Sequence, residues 1–306
     1  VNSGCAALVD IENRHNNMKR MLLEHKFRGN IHYEMLLDEK HHVIMDWTPK
    51  AACSKSVEMF WNVMGITRGK YYGSSLVHDY RKDFYAQCGY INQEMVDSSN
   101  YYKFKVVRNP YGRAVSSYIH LMNTLIGHLL MFGLRGDEPI SEAELRNNNT
   151  QAASHPWNDL SFEELLDLYI NEVLPARRRA KGIRNIAIIH IEPQSSDAEA
   201  VAFKSHEKSI FDHIVHLETF EEDIAVVNEA TKLNYSYPEG FDSHVAVKSD
   251  KLTGYVGDKP FHYLKEHGIP GNYGMFYNEK TKLLVEQLFA NDLEIYGYTF
   301  PFGKVF

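Results

Sequence analysis

The chain has 306 residues, 44% hydrophobic and 12% aromatic, enough for one large α/β domain or two small ones around a full core. Its formal net charge of -7 argues against a general nucleic-acid binder, so anionic ligands must be held by local basic groups. Cys5, Cys53 and Cys88 are too few for a disulfide scaffold and lack zinc-ligand spacing, so no metal is expected.

In chain order, residues 1–30 form an N-terminal helical segment ahead of a domain at 31–306. Leu8, Ile11, Met18, Met21 and Leu22 recur at near-helical spacing there. The run His42 to Trp47 predicts a buried strand that ends in small and polar residues, Thr48 to Ser54. Helical periodicity resumes through Val57, Phe60, Trp61 and Met64. Residues 102–107 alternate polar and apolar as a strand does. A helix over 111–132 follows, with Asn109 as its N-cap and Pro110 at its first position. Residues 135–160 predict a surface loop. Residues 161–174 predict a helix with a Ser161–Glu164 capping box. Strands are expected at 185–191 and 211–217, a helix at 218–232, long loops over 235–275 and a closing helix at 279–295. No stretch approaches the roughly 20 apolar residues that cross a bilayer. Alternating strands and helices without repeats or linkers predict a single α/β domain, its central, mostly parallel sheet flanked by helices.

Ligands of open α/β sheets sit beyond the carboxyl ends of strands, where helix N-termini offer backbone N–H groups and a positive dipole end. Two strand-to-helix junctions carry suitable residues. The first is Thr48-Pro49-Lys50-Ala51-Ala52-Cys53-Ser54-Lys55, whose small side chains let anion oxygens approach the backbone between two lysines. It lacks the glycines and Lys-Ser/Thr pair of a nucleoside-triphosphate loop, and an ordinary turn with surface lysines has the same composition. At the second junction Arg108 closes a strand and Ser116 lies two helical turns on. Position 112 shares the face of Ser116, so a guanidinium and a hydroxyl can address one phosphate.

Together these motifs resemble the sulfotransferases that use 3′-phosphoadenosine 5′-phosphosulfate (PAPS). In that family a P-K-x-[AG]-[CGST]-[ST] turn binds the 5′-phosphosulfate, and an Arg with a Ser eight residues on binds the 3′-phosphate. Pro49 to Ser54 is similar to the first and Val107 to Tyr118 to the second. The Golgi carbohydrate branch is nearest. His190-Ile191-Glu192-Pro193-Gln194 resembles its H-W-x-P-Q segment, Leu217 to Asp223 its L-E-T-F-E-E-D run, and Asn291 to Tyr298 its closing motif. Where that branch carries cysteines after P-Q, this chain has Ser195-Ser196-Asp197. The resemblance implies a P-loop-like phosphosulfate-binding turn made of Pro49, Lys50, Ala51, Ala52, Cys53, Ser54 and Lys55, with Arg108 and Ser116 holding the far phosphate. PAPS is then the donor cosubstrate and adenosine 3′,5′-bisphosphate the product.

The chemistry so implied is an in-line displacement in which positioning and charge stabilisation dominate. Lys50 stabilises the leaving group, and the modest charge of a sulfuryl group removes the need for a metal. Among 16 histidines, His78 and His190 are the candidate bases by position, with Glu58 and Glu192 behind them. The acceptor is a hydroxyl of a carbohydrate, the alternative being a small-molecule alcohol or phenol. A nucleotide-dependent phosphotransferase and a non-catalytic nucleotide-binding relative are the more distant alternatives. Few cysteines favour the cytoplasm. A removed anchor, with sequons at Asn148 and Asn234, would instead fit the Golgi lumen.

Overall fold

The computed structural model describes residues 35–67, 77, 91, 93–123, 159–175, 188–206, 209–238, 248–249, 251–303 and 305. The predicted N-terminal helix, His78, the later part of the helix predicted over 111–132 and most of the 135–160 loop lie outside the described residues. The chain forms two compact units, residues 1–107 with 201–243 and residues 108–200 with 244–306.

The first unit holds a four-stranded sheet of order β1-β2-β3-β4, comprising β1 (Leu36–Asp38), β2 (Val43–Trp47), β3 (Tyr102–Val107) and β4 (His213–His216). The β1–β2 pair is antiparallel, while β2–β3 and β3–β4 are parallel, with Trp47 opposite Val106 and Val107 opposite His216. The carboxyl ends of three strands therefore share one edge. The first helix, α1 (Cys53–Val63), follows β2, and Gly65 at φ 77° stops it. The short α2 (Gln93–Asp97) precedes β3. Every residue of β2 is buried, and its Met45 and Trp47 pack with Val57, Phe60, Trp61, Phe104 and Val215. Although β3 alternates polar and apolar residues, Lys105 is 0% exposed. Its Nζ lies 3.0 Å from the equally buried Asp46 directly opposite on β2. The sheet is buried on both faces at this strand, as expected of a parallel sheet flanked by helices.

In the second unit α3 (Pro110–Asn123) starts as expected, the Tyr111 N–H donating to Asn109 Oδ1 at 3.1 Å. The helix α4 (Phe162–Leu168) opens with the expected capping box. The Glu164 N–H donates to Ser161 Oγ and the Ser161 N–H donates to Glu164 Oε2. It runs on as a π-helical turn, Tyr169–Val173. Tyr118 anchors the core, meeting Phe162, Phe261 and Phe276 edge-on.

The strand predicted at 185–191 is not one where it is described. Ile188–His190 is a 3-10 turn. Its neighbourhood directs backbone carbonyls to helix side chains rather than to a ladder. The His190 C=O accepts from Ser117 Oγ, and the Glu192 C=O accepts from Arg113 Nη1 at 2.6 Å. The helix α5 (Asp197–Lys204) comes next, and beyond β4 lies α6 (Phe220–Thr231). The expected loops at 235–275 contain the two-residue pair β5 (Lys248–Ser249) and β6 (Ile269–Pro270). They also contain α7 (Phe261–His267), while Tyr273–Phe276 is a 3-10 turn. The closing helix is two, α8 (Glu279–Leu288) and α9 (Ala290–Ile295), parted at Phe289.

Candidate active site

In the first unit, the turn between β2 and α1 has two left-handed residues, Lys50 at φ 69° and Ala52 at φ 54°. Neither is glycine, and such conformations cost of order 1–3 kcal/mol each and concentrate where function needs them. Left-handed residues in a turn roll successive N–H groups into a concavity suited to anions. The Ala51 N–H closes the turn on the Thr48 carbonyl at 3.2 Å. The N-cap of α1 is Ala52, whose methyl cannot cap the helix, and no side-chain cap bond forms. Pro49 and Ala51 are buried, whereas Lys50, Ala52, Cys53, Ser54 and Lys55 are half-buried. Lys55 Nζ lies 5.9 Å from the centre of the Tyr237 ring.

In the second unit, Arg108 is partly exposed and its guanidinium lies along the first turn of α3. A Cβ on Gly112 would meet its Nε at 3.6 Å and its Nη2 at 3.7 Å. Tyr273 stands on another side, its ring centre 6.0 Å from Arg108 Cζ. Ser116 is one turn beyond Gly112 on the same face, half-buried, with no hydrogen-bond partner among the described residues. Gly112, beside which the Arg108 guanidinium lies, is one helical turn before Ser116.

Buried polar groups hold this arrangement. Gln194, 0% exposed, clasps the Arg108 backbone. Its Oε1 accepts the Arg108 N–H at 2.9 Å, and its Nε2 donates to the Arg108 carbonyl at 2.8 Å. The Gln194 N–H and the Ser195 N–H and Oγ donate to the carboxylate of Asp292 on α9, at 2.6 to 2.7 Å. Arg113, fully buried over the Phe289 ring, has its pKa lowered by desolvation, against which Asp292 and Glu192 act. Gln194 and Asp292 sit inside motifs visible in the sequence, but nothing there assigns them to Arg108.

His190 lies in the second unit with its ring 4.6 Å from that of His120. Glu58 and Glu192 are both buried. Among the described residues no cluster of three or more metal-ligating side chains occurs. Among them, too, no helix is long and apolar enough to cross a membrane. A family model described as "Sulfotransferase family" matches residues 33–299. The chain belongs to the sulfotransferase family. No curated protein and no solved structure gives a match. The matched span of this sulfotransferase contains both strand-end junctions, and the family implies sulfuryl transfer to a hydroxylated acceptor as its general chemistry.

Proposed function

We propose that this sulfotransferase takes the sulfuryl group of PAPS and places it on a carbohydrate hydroxyl. The turn after β2 receives the phosphosulfate end of the donor, its N–H groups and Lys50 facing the anionic oxygens. Arg108 and Ser116 receive the 3′-phosphate, the former through a guanidinium fork suited to phosphate. As the acceptor oxygen attacks sulfur, charge builds on the bridging oxygen of the departing 5′-phosphate, and the Lys50 ammonium stabilises it. The carbohydrate acceptor is supported by the closing run Asn291 to Tyr298 and by Leu217 to Asp223, both similar to the carbohydrate branch.

The observation that carries this reading is the left-handed Lys50–Ala52 turn between a fully buried parallel strand and an uncapped helix. The test is a transfer assay with labelled PAPS against pooled glycans and small hydroxylated metabolites, with and without a magnesium chelator. Transfer to glycans that survives chelation is expected, with Lys50→Ala lowering the rate by about 10²–10³-fold. Full activity in Lys50→Ala, or calorimetry showing no affinity for adenosine 3′,5′-bisphosphate, refutes it. Magnesium-dependent transfer of phosphate would assign a phosphotransferase instead.

A further inference from the structure

Three described histidines share one arrangement, in which a single aspartate accepts both the backbone N–H and the ring Nδ1 of the same residue. Asp38 holds His41 at 3.1 and 2.6 Å, Asp159 holds His262 at 2.7 and 2.6 Å, and Asp223 holds His216 at 2.8 and 2.9 Å. Their places in the fold separate them. The first pair braces the hairpin between β1 and β2, at the amino end of β2. The second ties the first turn of α7 in the other unit. The third closes β4 at the carboxyl edge of the sheet that carries the Lys50 turn, where parallel sheets bind ligands.

We propose that His216, oriented by Asp223, is the catalytic residue that takes the proton from the acceptor hydroxyl, an inference that rests on the sulfotransferase reading of the turn at 48–55. A carboxylate on Nδ1 keeps the proton there and makes Nε2 the basic nitrogen, the orientation used when imidazole activates a hydroxyl. The side chain is 31% exposed, so a substrate can reach it. Burial pulls the Asp223 carboxyl upward. The His216 backbone and ring and the Thr219 hydroxyl outweigh that, and the group stays below its ordinary range.

A second observation brings this dyad toward the turn. The Tyr237 ring stacks on Phe220, the first residue of α6, at 3.7 Å and 10°. Lys55, in the first turn of α1, also lies over that ring. The helix starts that carry Asp223 and the phosphosulfate turn thus meet one aromatic side chain. Strands lie about 4.8 Å apart, so the ends of β2 and β4 are roughly 10 Å apart, space for a sulfuryl group and its attacking oxygen. Among the described residues, Asp223 on α6 contacts His216, His213 on β4 lies 3.9 Å from Asp223, and Glu218 lies in the turn between β4 and α6. On the neighbouring β3, Val107 stands opposite His216, and Lys105, opposite Ile214, pairs with Asp46.

In the step, the acceptor oxygen forms a bond to sulfur as the bond from sulfur to the bridging phosphate oxygen breaks. The electron pair leaves on adenosine 3′,5′-bisphosphate. The hydroxyl proton passes to His216 Nε2 and then to water. His216→Asn retains an N–H for Asp223 and removes the proton acceptor, and it is compared with Asp223→Asn, His78→Ala, His190→Ala and the unsubstituted chain. His216→Asn is expected to lower kcat by about 10²–10⁴-fold, keep the affinity for adenosine 3′,5′-bisphosphate within about twofold, and erase the acid limb of the kcat/KM–pH profile. Nitrogen-15 shifts of the unsubstituted protein should show the His216 proton on Nδ1. The proposal is overturned if His216→Asn keeps kcat and the limb, if nucleotide affinity falls in step with kcat, if His78→Ala or His190→Ala alone erases the limb, or if the proton sits on Nε2. Transfer by the unsubstituted chain alongside any of these leaves the sulfotransferase reading standing. No transfer at all overturns both.

Discussion

Replacing Gln194 with leucine removes the clasp on Arg108 at nearly constant volume. The side chain is 0% exposed, so the cavity term is small and the loss is one of hydrogen bonding. Two backbone groups lose their partner, the Arg108 N–H at 2.9 Å and the Arg108 carbonyl at 2.8 Å. Each buried group left unsatisfied costs about 1–3 kcal/mol, and Arg108 is exposed enough for water to restore part, so a total of about 2–4 kcal/mol is expected. Denaturant unfolding measures that loss. Calorimetry with adenosine 3′,5′-bisphosphate measures whether Arg108 has lost its aim, for which an affinity at least about tenfold weaker is expected (about 1.4 kcal/mol). A stability change within about 0.5 kcal/mol would refute the reasoning about the clasp. Lost stability with unchanged nucleotide affinity would show that Gln194 braces the fold without positioning the guanidinium.

Lys105→Met strands the Asp46 carboxylate at 0% exposure and should destabilise by about 3–5 kcal/mol in urea unfolding. The double variant with Asp46→Leu should recover most of that, and equal losses in single and double variants would contradict a paired charge. Ser161→Ala removes the oxygen that caps α4 and should cost about 0.5–2 kcal/mol by thermal unfolding, with Ser161→Thr near wild type. The Asp223 carboxyl is depressed in the folded state, so its stabilising contribution is complete above its ordinary value of 3.8 and is lost as pH falls through the lower folded value. The stability gap between wild type and Asp223→Asn should therefore be full at neutral pH and close below that range. A gap that persists unchanged into stronger acid would contradict the assignment.

What could be read from the sequence was local. The buried run of β2, the alternation of β3, the Asn109 cap and the Ser161–Glu164 box each express themselves within a few residues, and each lies where it was expected. The failures were non-local. The run ending at His190 has strand composition, yet the His190 carbonyl is claimed by Ser117, 73 residues away, and that of Glu192 just beyond by Arg113, 79 residues away, and no local pattern encodes that. The partner of the buried Lys105 is likewise not local, for β2 places Asp46 opposite it, 59 positions earlier in the chain. Motif matching singles out Lys50, Arg108 and Ser116, whose residue types suit an anionic ligand. It assigns no role to Gln194, Asp292 and Asp223, whose partners are protein groups. Ser195 illustrates the point. Measured against the carbohydrate branch it is a missing cysteine, but in the fold its N–H and hydroxyl both bind Asp292, which also holds Gln194 and through it Arg108. A polar network thus fixes this segment, and the serine that looks like a lost disulfide partner is one of the groups that, through Asp292 and Gln194, hold the Arg108 backbone.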